Sequence, residues 1–212
     1  MPYIIRPRRI RSMAVAVLGS ALLFGAVPAV ANAAPCAKSP SSKLLEAYGD
    51  TSLYSLLTGS SFASGASGWS LSNAEVVAGE SYEVNGGSNA VLVQPDGSAV
   101  SPPVCVSSEY PTFRFFARSF GGEQQQSWPW GDGGQSSLNV SLRWKDMFGF
   151  THNSNVGTIQ SSSSWELSPA LKLASALPLW MRGSTLTVRL VFQASGSASW
   201  AVADVFIDPY SR

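Results

Sequence analysis

Two indoles separated by one proline, Trp128-Pro129-Trp130, stand in a long Gly- and Gln-rich stretch, 119–137. The apolar C–H face of a sugar ring stacks on the negative face of an indole, while nearby amide and carboxylate groups bind its hydroxyls. The same stretch is equally suited to fold back as a lid, and both readings stay open. A second set is Arg114, Arg143, Arg189 and Gln193, which occupy polar positions of strand-like alternations. If those strands are neighbours, the four line one sheet surface able to donate to a glycan; otherwise they are solvated strand residues. His152 lies in a polar run, Thr151-His152-Asn153-Ser154-Asn155, read as a loop. One His with no second His or acid at ligand spacing is a poor metal or acid–base signal. Asp204 and Asp208 close the chain, four residues apart.

Several chemistries are disfavoured by what is missing. Glycoside hydrolysis needs two carboxyl groups about 5 to 10 Å apart, and no acid sits in such a setting. Gly65-Ala66-Ser67-Gly68-Trp69 breaks the Gly-x-Ser-x-Gly pattern of a nucleophilic serine, and no phosphate loop, dinucleotide fingerprint or zinc spacing appears. The expectation is a non-catalytic protein.

The elements that must position these residues are strands. Leu138, Val140, Leu142 and Trp144 alternate with polar residues, as do Leu186, Val188, Leu190 and Phe192. Period two with one polar face indicates antiparallel sheets with a buried inner side. Further strands are expected at 74–78, 90–94 (ended by Pro95-Asp96-Gly97), 104–106 and 112–118. Residues 43–57 fit either a helical turn or an edge strand. The last stretch, 200–208, is contradictory: Trp200, Val202 and Phe206 ask for one face, Val205 and Ile207 for the other. Either both faces are covered or a bulge near Ala203–Asp204 resets the register. No long amphipathic helix competes. The fold class is all-β: an antiparallel β-sandwich of about eight to ten strands, jelly-roll rather than immunoglobulin-like.

The first 33 residues read as an export signal: Arg6, Arg8, Arg9 and Arg11, an apolar run from Met13 to Val30, then Ala31-Asn32-Ala33 before the expected cut. The remainder divides into an N-terminal leader packed on the domain, 34–57, and the sandwich, 58–212. Four of 14 basic residues and none of the 13 acidic ones lie in the signal, so the rest carries a net charge of −3. That balance leaves no basic patch for nucleic acid or, once the signal is gone, for a membrane. Secretion also predicts that Cys36 and Cys105 pair, closing a loop of about 70 residues and restricting the unfolded chain by roughly 4 kcal/mol.

Thr58-Gly59-Ser60-Ser61-Phe62, followed by Gly68-Trp69, resembles the opening of jelly-roll carbohydrate-binding modules and other galactose-binding-like domains; Asp204-Val205-Phe206-Ile207-Asp208-Pro209-Tyr210 resembles their closing strand. The resemblance spans about Leu57 to Tyr210 and is nearest to secreted single-domain bacterial members. It implies a sandwich that binds carbohydrate or cell-wall glycan across one face. It also implies a structural calcium between the first loop and the last strand, with Asp204 as a ligand. Ala63 and Ala203 stand where two other oxygen ligands are expected, and the alternative is Asp204 capping loop N–H groups. The competing function is an extracellular structural or protein-interaction sandwich, marked by an apolar patch at Phe116 and Val191.

Overall fold

The two clearest alternations become neighbouring antiparallel strands whose registers pair Leu142 with Leu190 and Val140 with Phe192. Seven of the eight apolar side chains are buried in one cluster, and Leu186 packs against it. The structure, a computed structural model, describes residues 40–78, 84, 89–106, 112–121, 136–173, 176–178 and 186–208, the last without its side chain. The expected signal, Cys36, Trp128 and Trp130 lie outside the described residues. All described residues belong to one compact unit, Pro35–Arg212.

The strands are β1 (Ser55–Leu56), β2 (Ser70–Ala78), β3 (Asn89–Val100) and β4 (Val104–Val106). They continue with β5 (Thr112–Phe120), β6 (Ser137–Lys145), β7 (Thr151–Gln160), β8 (Glu166–Leu167) and β9 (Leu171–Lys172). The last two are β10 (Leu186–Ser195) and β11 (Ser199–Asp208). Every pairing is antiparallel, in the order β7-β6-β10-β3-β11-β5-β8, with β2 beside β3, β4 beside β10, β1 beside β11 and β9 beside β5. The sheet is curled into a jelly-roll sandwich. One layer holds β7, β6, β10 and β4; the other holds β11, β5, β1, β8 and β9.

β3 belongs to both layers. Val91–Val93 pair with β11, whereas Ser98–Val100 pair with β10. Between them Pro95-Asp96-Gly97, which reads as a strand end, is instead a bend within the strand. Asp96 and its neighbour across the ribbon, Asn73, both take left-handed φ (58° and 46°), and the β2–β3 register shifts there. Asn73 Nδ2 donates to Pro95 O at 2.9 Å. A Cβ on Gly97 would meet Asn73 O at 2.3 Å, so the bend requires glycine at that position.

Aromatic rings tie the layers together. Phe62 lies 5.0 Å from Trp69, Trp69 stacks at 6.1 Å on Phe192 of β10, and Phe192 meets Phe115 of β5 edge-on at 5.0 Å. Each such side chain contributes roughly 2–3 kcal/mol on burial.

Both solutions to the contradictory last strand are realised. Between Ala203 and Phe206 the pairing with β5 shifts by one residue, and Asp204 takes φ 47°. Trp200 and Val202 therefore share the interior with Val205 and Ile207. Phe206 faces out, but is covered: Leu45, Tyr54, Phe116 and Phe206 form a second buried cluster. Residues 42–57 supply that cover through a 3₁₀ turn at Glu46–Tyr48, a bridge from Ser42 to Tyr54 and β1 against β11.

Two further expectations need correction. The polar run 151–155 is not a loop but the start of β7, paired from Thr151 to Gln160 with β6. Its burial alternates without an apolar partner set, because an edge strand with one exposed face needs little hydrophobic signal. Phe116 and Val191 form no exposed patch; both are buried, on different layers.

Candidate functional site

The outward side of the β7-β6-β10 layer is polar across its width. Cross-strand partners place Asn155 beside Ser141, Asn153 beside Arg143, Thr158 beside Asn139, and Asn139 beside Gln193. Arg143 and Arg189 are direct partners on β6 and β10. The structure thus brings together three of the four residues expected on one face. Arg114 is not among them: β5 lies in the other layer, and its guanidinium is spent there, with Nε donating to Ser168 O at 3.1 Å and Nη1 3.6 Å from Asp50 Oδ2.

At one end of the polar face a groove of about 430 Å³ opens along the β6–β10 seam. Its polar lining is Arg143, Lys145, Thr151, Thr187 and Arg189, with Pro103 and Leu186 as apolar walls. Trp144 and Val188 also border it, although their side chains belong to the core. The size suits one or two sugar units. Each arginine is oriented by a neutral acceptor. Arg143 Nε donates to Asn153 Oδ1 at 3.2 Å, and Arg189 Nη1 donates to Ser101 O at 2.8 Å. Ser101 itself is buried and patches β10 where Pro102-Pro103 interrupts pairing: its N–H donates to Leu190 O and its Oγ accepts from Leu190 N–H, both at 2.9 Å.

The hairpin joining β6 and β7 begins at the mouth of this groove. Asp146 organises it: Oδ1 accepts from the N–H groups of Phe148 and Phe150, both at 2.9 Å, and Oδ2 pairs with His152 Nε2 at 2.9 Å. Gly149 turns the chain at φ 85°. The His152 hydrogen bond, with help from the two backbone donors, holds the Asp146 carboxyl below the usual range despite burial. His152 also stacks on Trp144 at 4.3 Å. Its role is to brace a turn. That fixed turn exposes Met147 by 84%, Phe148 by 78% and Phe150 by 67%, the largest apolar exposure among the described residues. Sequence reasoning passed over this tip and Asp146, because the Asp–His pairing spans a turn rather than a strand or helix repeat.

Asp204 sits at the opposite kind of site. Its N–H donates to Ser60 O at 3.0 Å, and Ser60 Oγ donates to Val205 O at 3.0 Å, so the Phe62 turn and the closing strand are stitched together. Burial pushes its carboxyl up to about 6, opposed by a hydrogen bond from the Val84 backbone. Oδ2 is buried without a hydrogen-bond partner, as an acceptor awaiting a cation would be. Among the described residues the remaining donors do not complete a calcium shell. Ala63 and Ala203 supply no side-chain oxygen, and Ser60 O, Val205 O and Phe62 O already accept from Asp204 N–H, Ser60 Oγ and Asn89 Nδ2. Among the described residues no three His, Cys, Asp or Glu side chains cluster. Calcium takes about six to eight oxygens, more than the described residues supply here, and burial favours the protonated form of this carboxyl.

No protein-family model matches the chain, and no curated protein matches it by sequence. By structure the fold is similar to carbohydrate-binding modules of several families. One is the CBM22-1–GH10 portion of Clostridium thermocellum xylanase 10B, complexed with xylohexaose: TM-score 0.47, 12% identity, covering 71% of this chain and 28% of that one. The match therefore spans under a third of that chain's length. Another is the xylan-binding CBM22-1 domain from Paenibacillus barcinonensis: TM-score 0.45, 14% identity, 66% of this chain and 85% of that one. A third is a family 61 module in complex with β-1,4-galactotriose: TM-score 0.39, 14% identity, 71% and 95%.

Proposed function

We propose that the protein is an exported, non-catalytic domain that binds carbohydrate or cell-surface polysaccharide along the outward face of β6, β7 and β10. The observation that carries this is the 430 Å³ groove at one end of an open sheet face rich in amide, hydroxyl and guanidinium groups. Asn139, Asn153, Asn155 and Gln193 offer paired donors and acceptors along the same face, as sugar hydroxyls require. Among the described residues no carboxylate lines the groove. Trp128 and Trp130 remain candidates for an aromatic platform, with Arg114 excluded from the face. Export rests on the basic-apolar-small pattern of the first 33 residues, and no helix among the described residues is long and apolar enough to cross a membrane. Cys105 is not a free thiol, which supports the bridge to Cys36.

Affinity electrophoresis against a panel of neutral and acidic polysaccharides tests the proposal. Retardation of wild type by at least one polymer, reduced at least tenfold in affinity by Arg143→Ala/Arg189→Ala, is expected. Equal retardation of both proteins would move the site elsewhere, with Trp128→Ala/Trp130→Ala as the next variant.

A second reading, an interaction module, draws on the exposed Met147, Phe148 and Phe150. Concentration-dependent light scattering that disappears in Phe148→Ser/Phe150→Ser is its signature.

A further inference from the structure

Resting on the glycan reading, we infer that the groove between β6 and β10 takes an acidic sugar unit, one whose ring bears a carboxylate, rather than a neutral one. Arg143 and Arg189 face each other as direct cross-strand partners, and Lys145 lines the same groove. Like charges placed opposite each other in an antiparallel pair oppose folding, so the arrangement costs stability unless an anion joins it.

Among the described residues no acid neutralises these charges. The acceptors for Arg143 and Arg189 are an amide oxygen and a backbone carbonyl. Asp146, the acid nearest in sequence, is turned to His152 and two backbone N–H groups of the hairpin. Arg114 shows that the chain does neutralise a guanidinium elsewhere, using Asp50. The hydrogen bonds that Arg143 and Arg189 make also leave part of each planar fork unused: Arg143 commits Nε and keeps both Nη groups, and Arg189 commits Nη1. One fork is anchored toward β7 and the other toward Ser101 after β3, so the two flank the groove, and each can bind a carboxylate through two parallel N–H bonds, which a lone solvated cation does not provide. Thr151 and Thr187 add hydroxyls for the ring, while Pro103 and Leu186 offer apolar surface to its C–H edges. A free anion would use the arginines but not these flanking groups; a uronic acid uses all of them.

The test is isothermal titration with polygalacturonate oligomers, their fully methyl-esterified counterparts, neutral xylan oligomers and free acetate. The acid form is expected to bind at least tenfold more tightly than the ester in low salt, and acetate at least a hundredfold more weakly than the acid oligomer. The preference should collapse in 0.5 M NaCl as the interaction is screened. Arg143→Gln/Arg189→Gln should remove the preference, bringing acid binding down to the level of the ester for that variant, and Arg114→Gln should leave it intact. Should the double variant not fold, the salt dependence of wild type carries the decision. Equal binding of acid and ester, or binding of xylan alone, overturns the acidic-sugar inference and leaves the glycan reading standing. Acetate binding as tightly as the oligomer overturns it in favour of a simple anion site. Binding of no saccharide, acidic or neutral, overturns both.

Discussion

The two outward faces of the sandwich use the same residue types to opposite ends. On the β11–β5 side, Phe206 and Phe116 meet edge-on at 6.0 Å, Tyr54 lies 5.7 Å from Phe206, and residues 42–57 close over them. Arg114, at the margin of that cover, is matched by Asp50, which is also held by the Tyr54 hydroxyl and the Ser52 N–H. On the β6–β10 side nothing apolar is presented by Asn139, Ser141 or Gln193, and among the described residues no acid faces the two arginines. A covered face is built to be stable. An open face that retains unneutralised charge gives up stability for contact with something else.

Breaking the covered face should have the largest effect. Phe206→Ala is expected to cost about 3–4 kcal/mol of unfolding free energy in urea titration, whereas Asn139→Ala should change it by less than about 0.5 kcal/mol. A loss below about 1 kcal/mol for Phe206→Ala would mean that the cover is incidental.

Asp204 comes next, since it is buried where the covered face is stitched to the Phe62 turn. Its folded-state value of about 6 lies above the ordinary 3.8, so the folded chain binds the extra proton between those pH values. Its contribution is therefore most favourable in acid and is lost as pH rises through 6. Asp204→Asn keeps a residue that tolerates the left-handed backbone and should raise stability by about 2 kcal/mol at pH 7 and by little at pH 4. Thermal melts across pH 4–7 check this; a wild type whose midpoint rises steadily with pH would contradict it.

The arginines sharpen the contrast further. Arg114→Gln should lose about 1 kcal/mol, while Arg189→Gln should be neutral or gain up to about 1 kcal/mol by relieving the like-charge pair. Equal losses at both positions would erase the distinction between the faces. The smallest effect is expected at the hairpin tip, where Phe148→Ser/Phe150→Ser should shift stability by less than about 0.5 kcal/mol, because neither side chain is packed.

The inner face was legible because burial on one side imposes strict alternation, as in Leu138–Trp144 and Leu186–Phe192. The bulge was legible too, since Val205 and Ile207 contradict Trp200 and Val202 unless one residue is extra. The partners of each strand were not. Arg114 alternates as cleanly as Arg143, yet nothing local says that β5 and β6 lie in different layers. β7 escaped notice because Asn153, Ser154 and Asn155 carry no apolar rhythm; its conformation is set by β6. The bend at Gly97 escaped for a similar reason: the requirement for glycine comes from Asn73 across the ribbon. The groove depends on all of these pairings at once, so its lining could not be assembled from the sequence.

β11 is flanked on both sides by strands from far earlier in the chain, Trp200 opposite Val93 and also opposite Ser119. The final long strand is thus an interior plank, and until it arrives β3 and β5 each present a raw hydrogen-bonding edge bearing Val91, Phe113 and Phe115. Such non-local closure makes for slow maturation and leaves the incomplete molecule prone to sticking to its siblings. A chain truncated just before Ser199 would therefore be recovered as inclusion bodies rather than as a smaller soluble domain.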